Sequence, residues 1–287
     1  MRQITHRIRA NGLTHFVRES GEENATAAIL LHGFPDSSIV WNAVTPLLVS
    51  GGYRVIAPDL RGFGDTDIPE RLADYDIRTG AAVDVIAILD HLKISRAHIV
   101  GHDFGAPVAW ALAAQKPERF ISLSALSVGH SRAFLAAGPE QKRRSFYMAV
   151  HQLRGICEWL YSRNDWELLR KHWDAHRQIS ETIKQLSRPG RLTAGLNWYR
   201  SNISFKRMLF PPAKGEFGEE IVRIPTLGVC SSREKYLVEA QMPGSSAFVE
   251  APFTYERIEG ASHWLQQDAP ERLAALLLSH WRAASAR

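Results

Sequence analysis

Four widely separated parts of the 287-residue chain carry side chains that together can perform covalent hydrolysis. The first is Asp103, in Ile99-Val100-Gly101-His102-Asp103-Phe104-Gly105-Ala106-Pro107-Val108, a pattern that reads strand, G-x-D-x-G, helix. Small residues two before and two after the central one let strand and helix approach while a sharp turn projects that side chain. Pro107 suits a first helical turn, where a missing N–H costs little. A residue displayed in this way acts as a nucleophile, and an ionised carboxylate attacks carbon to form an ester. An Asp before a helix also serves as an N-cap, so Asp103 takes its chemical meaning from its company. His32-Gly33-Phe34-Pro35 follows a buried apolar run, and its Phe34 N–H can join that of Phe104 to hold an oxyanion. His263, in Gly260-Ala261-Ser262-His263-Trp264, is placed to act as the base that activates water. Glu234 is the only carboxylate in residues 231 to 237 and would orient that base; Glu239 is the alternative, and an ordinary solvated charge is the bland reading of Glu234. His32 and His102 read as packing and turn residues.

These groups need a rigid frame, and the apolar pattern supplies one. Two alternating stretches, Ile4 to Ala10 and Thr14 to Glu19, flank Asn11-Gly12, which predicts a hairpin. Ala27 to Leu31 is continuously apolar, as in a strand buried on both faces of a parallel sheet. Further strands are expected at Tyr53 to Ala57, Ala97 to Val100, Ile121 to Leu126, Ile224 to Cys230 and Phe253 to Ile258. Helices are expected over residues 38 to 50, around Ala82 to Leu92, and from Pro270 to about Ala284. The alternation predicts an α/β fold with a mostly parallel central sheet flanked by helices. Between residues 129 and 216 the strand rhythm is lost, and breaks fall at Gly138-Pro139, Pro189-Gly190 and Pro211-Pro212. This predicts a helical cap, residues 129–216, inserted after the sixth strand into a core formed by 1–128 and 217–287.

Composition excludes several classes. With 45% hydrophobic and 23% charged residues the chain can bury a sizeable core and is not disordered. Its longest apolar run, Val108 to Ala114, has seven residues, far short of the about 20 needed to span a bilayer. Met1 to Arg7 lacks an apolar signal segment, and Cys157 and Cys230 form no disulfide framework or metal-ligand spacing, so a cytoplasmic location is expected. The net charge of +5 arises from basic residues spread along the chain, which does not suggest nucleic-acid binding. A homodimer is compatible with the sequence.

Taken together, His32 to Pro35, Asp59-Leu60-Arg61-Gly62-Phe63-Gly64, Gly101 to Gly105 and Gly260 to Trp264 resemble the epoxide hydrolase branch of the α/β-hydrolase superfamily, over nearly the whole chain after residue 25. Leu196-Asn197-Trp198-Tyr199-Arg200-Ser201-Asn202 is similar to the cap segment that carries one ring-opening tyrosine, and Phe146 to Leu153 is similar to the segment that carries the other. The resemblance implies an α/β-hydrolase fold, Tyr147 and Tyr199 as donors to the ring oxygen, a covalent ester on Asp103, and a small-molecule epoxide and water as substrates. It implies no cofactor and no metal. Phe34 and Trp198 are expected to line the substrate pocket, with Trp159 and Trp166 as further lid aromatics. One departure is Glu234, since the family acid is most often Asp. Haloalkane dehalogenase relatives place Asn in the oxyanion loop and Trp after the nucleophile; this chain has Phe34 and Phe104 there. A serine esterase is excluded by Asp103 itself. A non-catalytic binding protein on the same fold is the alternative of a different class, and turnover of an aryl epoxide distinguishes it.

Overall fold

The computed structural model describes residues 3–203 and 221–286. Eight strands form one sheet: β1 (Gln3–Ala10), β2 (Leu13–Ser20), β3 (Ala27–Leu31), β4 (Arg54–Pro58), β5 (Ala97–His102), β6 (Phe120–Leu126), β7 (Thr226–Ser231) and β8 (Phe253–Ile258). Their spatial order is β1-β2-β4-β3-β5-β6-β7-β8. The first hairpin and the β2–β4 pair are antiparallel, and every later pair is parallel. Asn11 and Gly12 both have positive φ at the hairpin, the geometry an Asn-Gly turn supplies at low cost.

The chain leaves β3 in one direction to make β4 and returns past β3 to make β5. Right-handed crossovers in opposite directions put their helices on opposite faces. Accordingly α1 (Thr45–Ser50) packs with α11 (Pro270–Ser285), and α2 (Ala82–His91) packs with α3 (Gly105–Gln115). The strand order reverses between β3 and β5, where loops diverge at the carboxyl ends and leave a crevice. Phe34 follows one of these strands and Asp103 the other.

The single helix expected over 38 to 50 is two pieces, a 3-10 turn Ser38–Trp41 and then α1. Pro46 is the cause: it lacks an N–H to continue a preceding helix, and it fits the first turn of a new one. Between β6 and β7 the described chain is helical: α4 (Ser131–Ala136), α5 (Gly138–Arg144), α6 (Tyr147–His151), α7 (Ile156–His172), α8 (Ile179–Leu186) and α9 (Arg191–Asn202). α7 is broken at Arg163 to Trp166, where Asn164, Asp165 and Trp166 have positive φ. The expected cap boundary at 216 and 217 and the Pro211-Pro212 break lie outside the described residues. After β8 comes α10 (Leu265–Asp268). Among the described residues no helix is long and apolar enough to cross a membrane.

Candidate active site

Asp103 has φ +50, a left-handed conformation that a non-glycine residue adopts only under constraint. The constraint is close packing by its neighbours. A Cβ at Gly101 would run into the backbone of Gly105 and Ala106, and one at Gly105 into that of Leu31 and His32. The turn therefore lifts the Asp103 carboxylate above the sheet, where its side chain is 17% exposed. The Phe34 N–H donates to its Oδ1 at 2.8 Å. Gly33 leaves room for this contact, since a Cβ there would strike the same carboxylate.

The conformation of the His32 to Pro35 loop is fixed from below. His32 Nε2 accepts from the Leu60 N–H at 2.9 Å, so its Nδ1–H donates to the Gly33 carbonyl at 2.9 Å. Burial lowers the pKa of His32, keeping it neutral for this task. The Asp59 to Gly64 segment is thus a support: Asp59 accepts from the N–H groups of Ser38 and Asp65, and Arg61 forms a two-pronged pair with Asp84. Phe34 and Pro35 are joined by a cis peptide bond.

His263 lies on the other side of Asp103. Its Nδ1 is 2.8 Å from Glu234 Oε2, and its Nε2 is 3.6 Å from Asp103 Oδ2. Burial alone would lower its pKa, but the charges and hydrogen bonds of Glu234 and Asp103 prevail and raise it to about 10. The resting site therefore holds an imidazolium between two carboxylates. Burial pushes both carboxyl groups up, and His263 more than offsets this, leaving Asp103 and Glu234 below their ordinary values. The Phe104 N–H also stabilises the Asp103 charge. Glu234 Oε1 accepts the Tyr236 N–H at 2.9 Å, which ties the longer acid to its own loop. Glu239 instead accepts from the Tyr255 hydroxyl, away from His263. His102, held neutral by burial with a pKa of about 4, accepts from Gln266 at Nδ1 and donates from Nε2 to the His263 carbonyl.

The helices between β6 and β7 cover this crevice with aromatic rings. Tyr199, on α9, lies 4.7 Å from the Phe104 ring and 5.5 Å from the Phe34 ring. Tyr147, at the start of α6, is 6.1 Å from Tyr199 between ring centroids. Burial is the first cause that raises both phenol pKa values well above 10, and the Asp103 charge adds to it in each. Both hydroxyls therefore keep their protons and lie within the field of the carboxylate. Trp198 is fully buried: its ring packs 5.5 Å from Phe104, and its Nε1–H donates to the Arg61 carbonyl. Trp166 is half-buried against the core. Trp159 is 58% exposed at the outer start of α7, so it belongs neither to a pocket lining nor to the lid core.

Two groups of residues here were not anticipated. His151 falls four residues after Tyr147, one helical turn on, and packs 4.3 Å from Tyr199 and 6.0 Å from Phe34. Its Nε2 is 2.8 Å from the Tyr161 hydroxyl, and burial lowers its pKa to about 3. The second group centres on Asp36, directly after the His32 to Pro35 loop. Its Oδ1 is 2.7 Å from His176 Nε2, and its Oδ2 accepts from Trp264 Nε1–H at 3.0 Å. An acid that follows such a loop on the heels of a proline was the available signal. Among the described residues no group of three or more His, Cys, Asp or Glu side chains is arranged to hold a metal ion.

Residues 27–154 match the alpha/beta hydrolase fold family. Epoxide hydrolase 3 of Xenopus tropicalis is 33% identical to this chain, over 94% of the chain and 75% of that protein. Epoxide hydrolase A of Mycobacterium tuberculosis is 29% identical, over 94% of the chain and 95% of that protein. The Bacillus megaterium epoxide hydrolase solved with an inhibitor superposes with a TM-score of 0.84, covering 96% of this chain and 99% of its own at 22% identity, a likeness of fold. The Vigna radiata epoxide hydrolase VrEH1 superposes with a TM-score of 0.80 at 25% identity, covering 98% of each chain. Sheet order, the strained turn after β5 and a one-third identity that spans nearly the whole chain lead to one conclusion: this hydrolase belongs to the epoxide hydrolase family of the α/β-hydrolase fold.

Proposed function

We propose that the protein converts an epoxide and water into a vicinal diol through an ester on Asp103. The reading rests on one arrangement: Asp103 lies between an imidazole–carboxylate pair on one side and two protonated phenols that feel its charge on the other. In it, residues 129–216 act as a lid over a core of residues 1–128 and 217–287.

In the first step Asp103 Oδ2 attacks a ring carbon and the carbon–oxygen bond of the epoxide breaks. The leaving alkoxide is strongly basic and takes up hydrogen bonds and a proton from Tyr147 and Tyr199. Oδ1, already held by the Phe34 N–H, becomes the ester carbonyl oxygen. In the second step His263, oriented by Glu234, removes a proton from water, and the hydroxide attacks that carbonyl carbon. Phe34 and Phe104 hold the resulting oxyanion through their N–H groups. The phenol recovers its proton from the His263 imidazolium before that group turns base. On collapse the departing alkoxide, which carries the former Oδ2, takes the proton of the new carboxyl group, so the diol leaves and carboxylate, phenols and imidazolium are restored. Phe34, Trp198 and the neighbouring rings suit an apolar epoxide.

A single turnover in ¹⁸O-labelled water tests the scheme. The label is expected in Asp103, with the first diol carrying an unlabelled protein oxygen; label directly in the first diol would overturn the covalent route. Loss of all turnover of an aryl epoxide would favour the binding-protein alternative.

A further inference from the structure

Among the described residues nine large apolar side chains are exposed, and six of them lie between residues 131 and 202: Leu135, Phe146, Leu153, Ile156, Trp159 and Leu168. Phe146 and Trp159 are the most exposed, at 69% and 58%. Phe146 and Leu153 are seven residues apart and so share a face of α6 and its following turn; Ile156 and Trp159 continue that surface onto the first turn of α7. The same stretch is strongly basic. Residues 131 to 202 contain 13 Lys and Arg against 6 Asp and Glu, a balance of +7, while the whole chain carries +5, which leaves −2 for the remainder. Acids near the patch are answered locally, Glu140 by Arg143 and Arg144, Glu158 by Arg200, and Glu167 by Lys171. Exposed Lys142, Arg154 and Arg163 stand among the apolar residues, and the Arg163 guanidinium lies 4.6 Å from the Trp159 ring.

From this we infer that the outer face of α6 and the start of α7 docks on the surface of an anionic phospholipid bilayer. Exposed Trp, Phe and Leu interleaved with Lys and Arg are the composition that seats at the headgroup boundary, with rings toward the acyl chains and cations against lipid phosphates. A second copy of the chain fits this face poorly. A two-fold dimer sets the same patch against itself, which here opposes like charge to like charge. Docking would bring the lid of the enzyme to the phase in which apolar compounds concentrate.

Flotation of the full chain with vesicles tests this. We expect the protein to float with phosphatidylcholine vesicles that contain phosphatidylglycerol, and to be released by high salt. Pure phosphatidylcholine should leave it behind. The Arg154→Glu, Arg163→Glu pair should lower the partition coefficient roughly tenfold or more, and the Phe146→Ser, Trp159→Ser pair should abolish flotation. Both pairs should keep the wild-type Tm, because these side chains lie outside the core. Absence of flotation, equal flotation on neutral lipid, or unchanged flotation of either pair would overturn the assignment. So would a solution dimer that Phe146→Ser, Trp159→Ser converts to monomer.

Discussion

The Nε2 of His263 stands 3.6 Å from Oδ2 of Asp103, close enough that the two groups share one electrostatic balance. While Asp103 is ionised it helps hold the proton on His263, whose pKa of about 10 reflects both carboxylates. In the proposed scheme, esterification would cancel the Asp103 charge. The imidazolium would then lose one of its two supports, and its pKa would fall when the scheme requires a neutral base.

Replacement of that base separates the two steps. In His263→Gln, ring opening is expected to continue while hydrolysis falls by about 10²–10⁴. An adduct of substrate mass should accumulate on the peptide that contains Asp103, and intact mass spectrometry reads it directly. An unmodified protein after exposure to epoxide would remove His263 from the second step.

The pH profiles of the two steps should differ in sign and window. Asp103 has a lowered pKa, so ester formation should hold through neutral pH and decline only below the ordinary carboxylate range. Hydrolysis needs neutral His263, so its rate should rise with pH and ester should build up on the wild type as pH is lowered. Rapid-quench measurement of both rates checks this. Stability follows the resting pKa: a raised value favours the folded state fully below the ordinary 6.5 and loses that contribution as pH climbs through about 10. The stability advantage of wild type over His263→Gln should therefore shrink across that interval in denaturant titrations.

Removal of one phenol donor, in Tyr147→Phe or Tyr199→Phe, should slow ester formation by about 10²–10³. The double variant should lose it almost entirely, while the structure persists because the rings remain. Stopped-flow alkylation is the readout. A double variant that alkylates at the wild-type rate would exclude the phenols as proton donors.

Glu234→Gln keeps the shape of the acid but removes its charge. Hydrolysis should fall by roughly 10²–10⁴ and ester formation far less, and the His263 pKa should drop. An unchanged single-turnover hydrolysis rate would assign the orienting role elsewhere.

Gly33→Ala tests the space beneath the carboxylate. A methyl group there would meet Asp103 directly, so activity should drop at least tenfold, as expected for misplacement of a reacting group. The global fold should survive. Crystals or near-ultraviolet circular dichroism would separate local displacement from unfolding.

Much of this architecture was legible because Phe34, Asp103 and Glu234 each follow a buried strand. Ala27 to Leu31, Ile99 to Gly101 and Thr226 to Ser231 are apolar or small, and the loops after them carry the proposed site residues. The break in the helix at Pro46 was also written in the chain, since proline resets the backbone register. What could not be read was which helical face would be covered. Trp159 and Trp198 are the same residue type in the same segment, yet one faces solvent and the other donates to Arg61. His151 and Asp36 acquire meaning only through partners remote in sequence, such as the Asp36–His176 contact between residues 140 positions apart.

That contact also bears on how substrate enters. One sunken carboxylate rivets the turn between α7 and α8 in the roof, through His176, to the stretch of chain that carries Trp264 and its neighbour His263. Hinging the whole roof upward would take His176 from that anion and leave it only the Trp264 donor. A cleft of about 290 Å³ lined by Asp174, Lys235 and Tyr236 already reaches His263 while the rivet stays fastened.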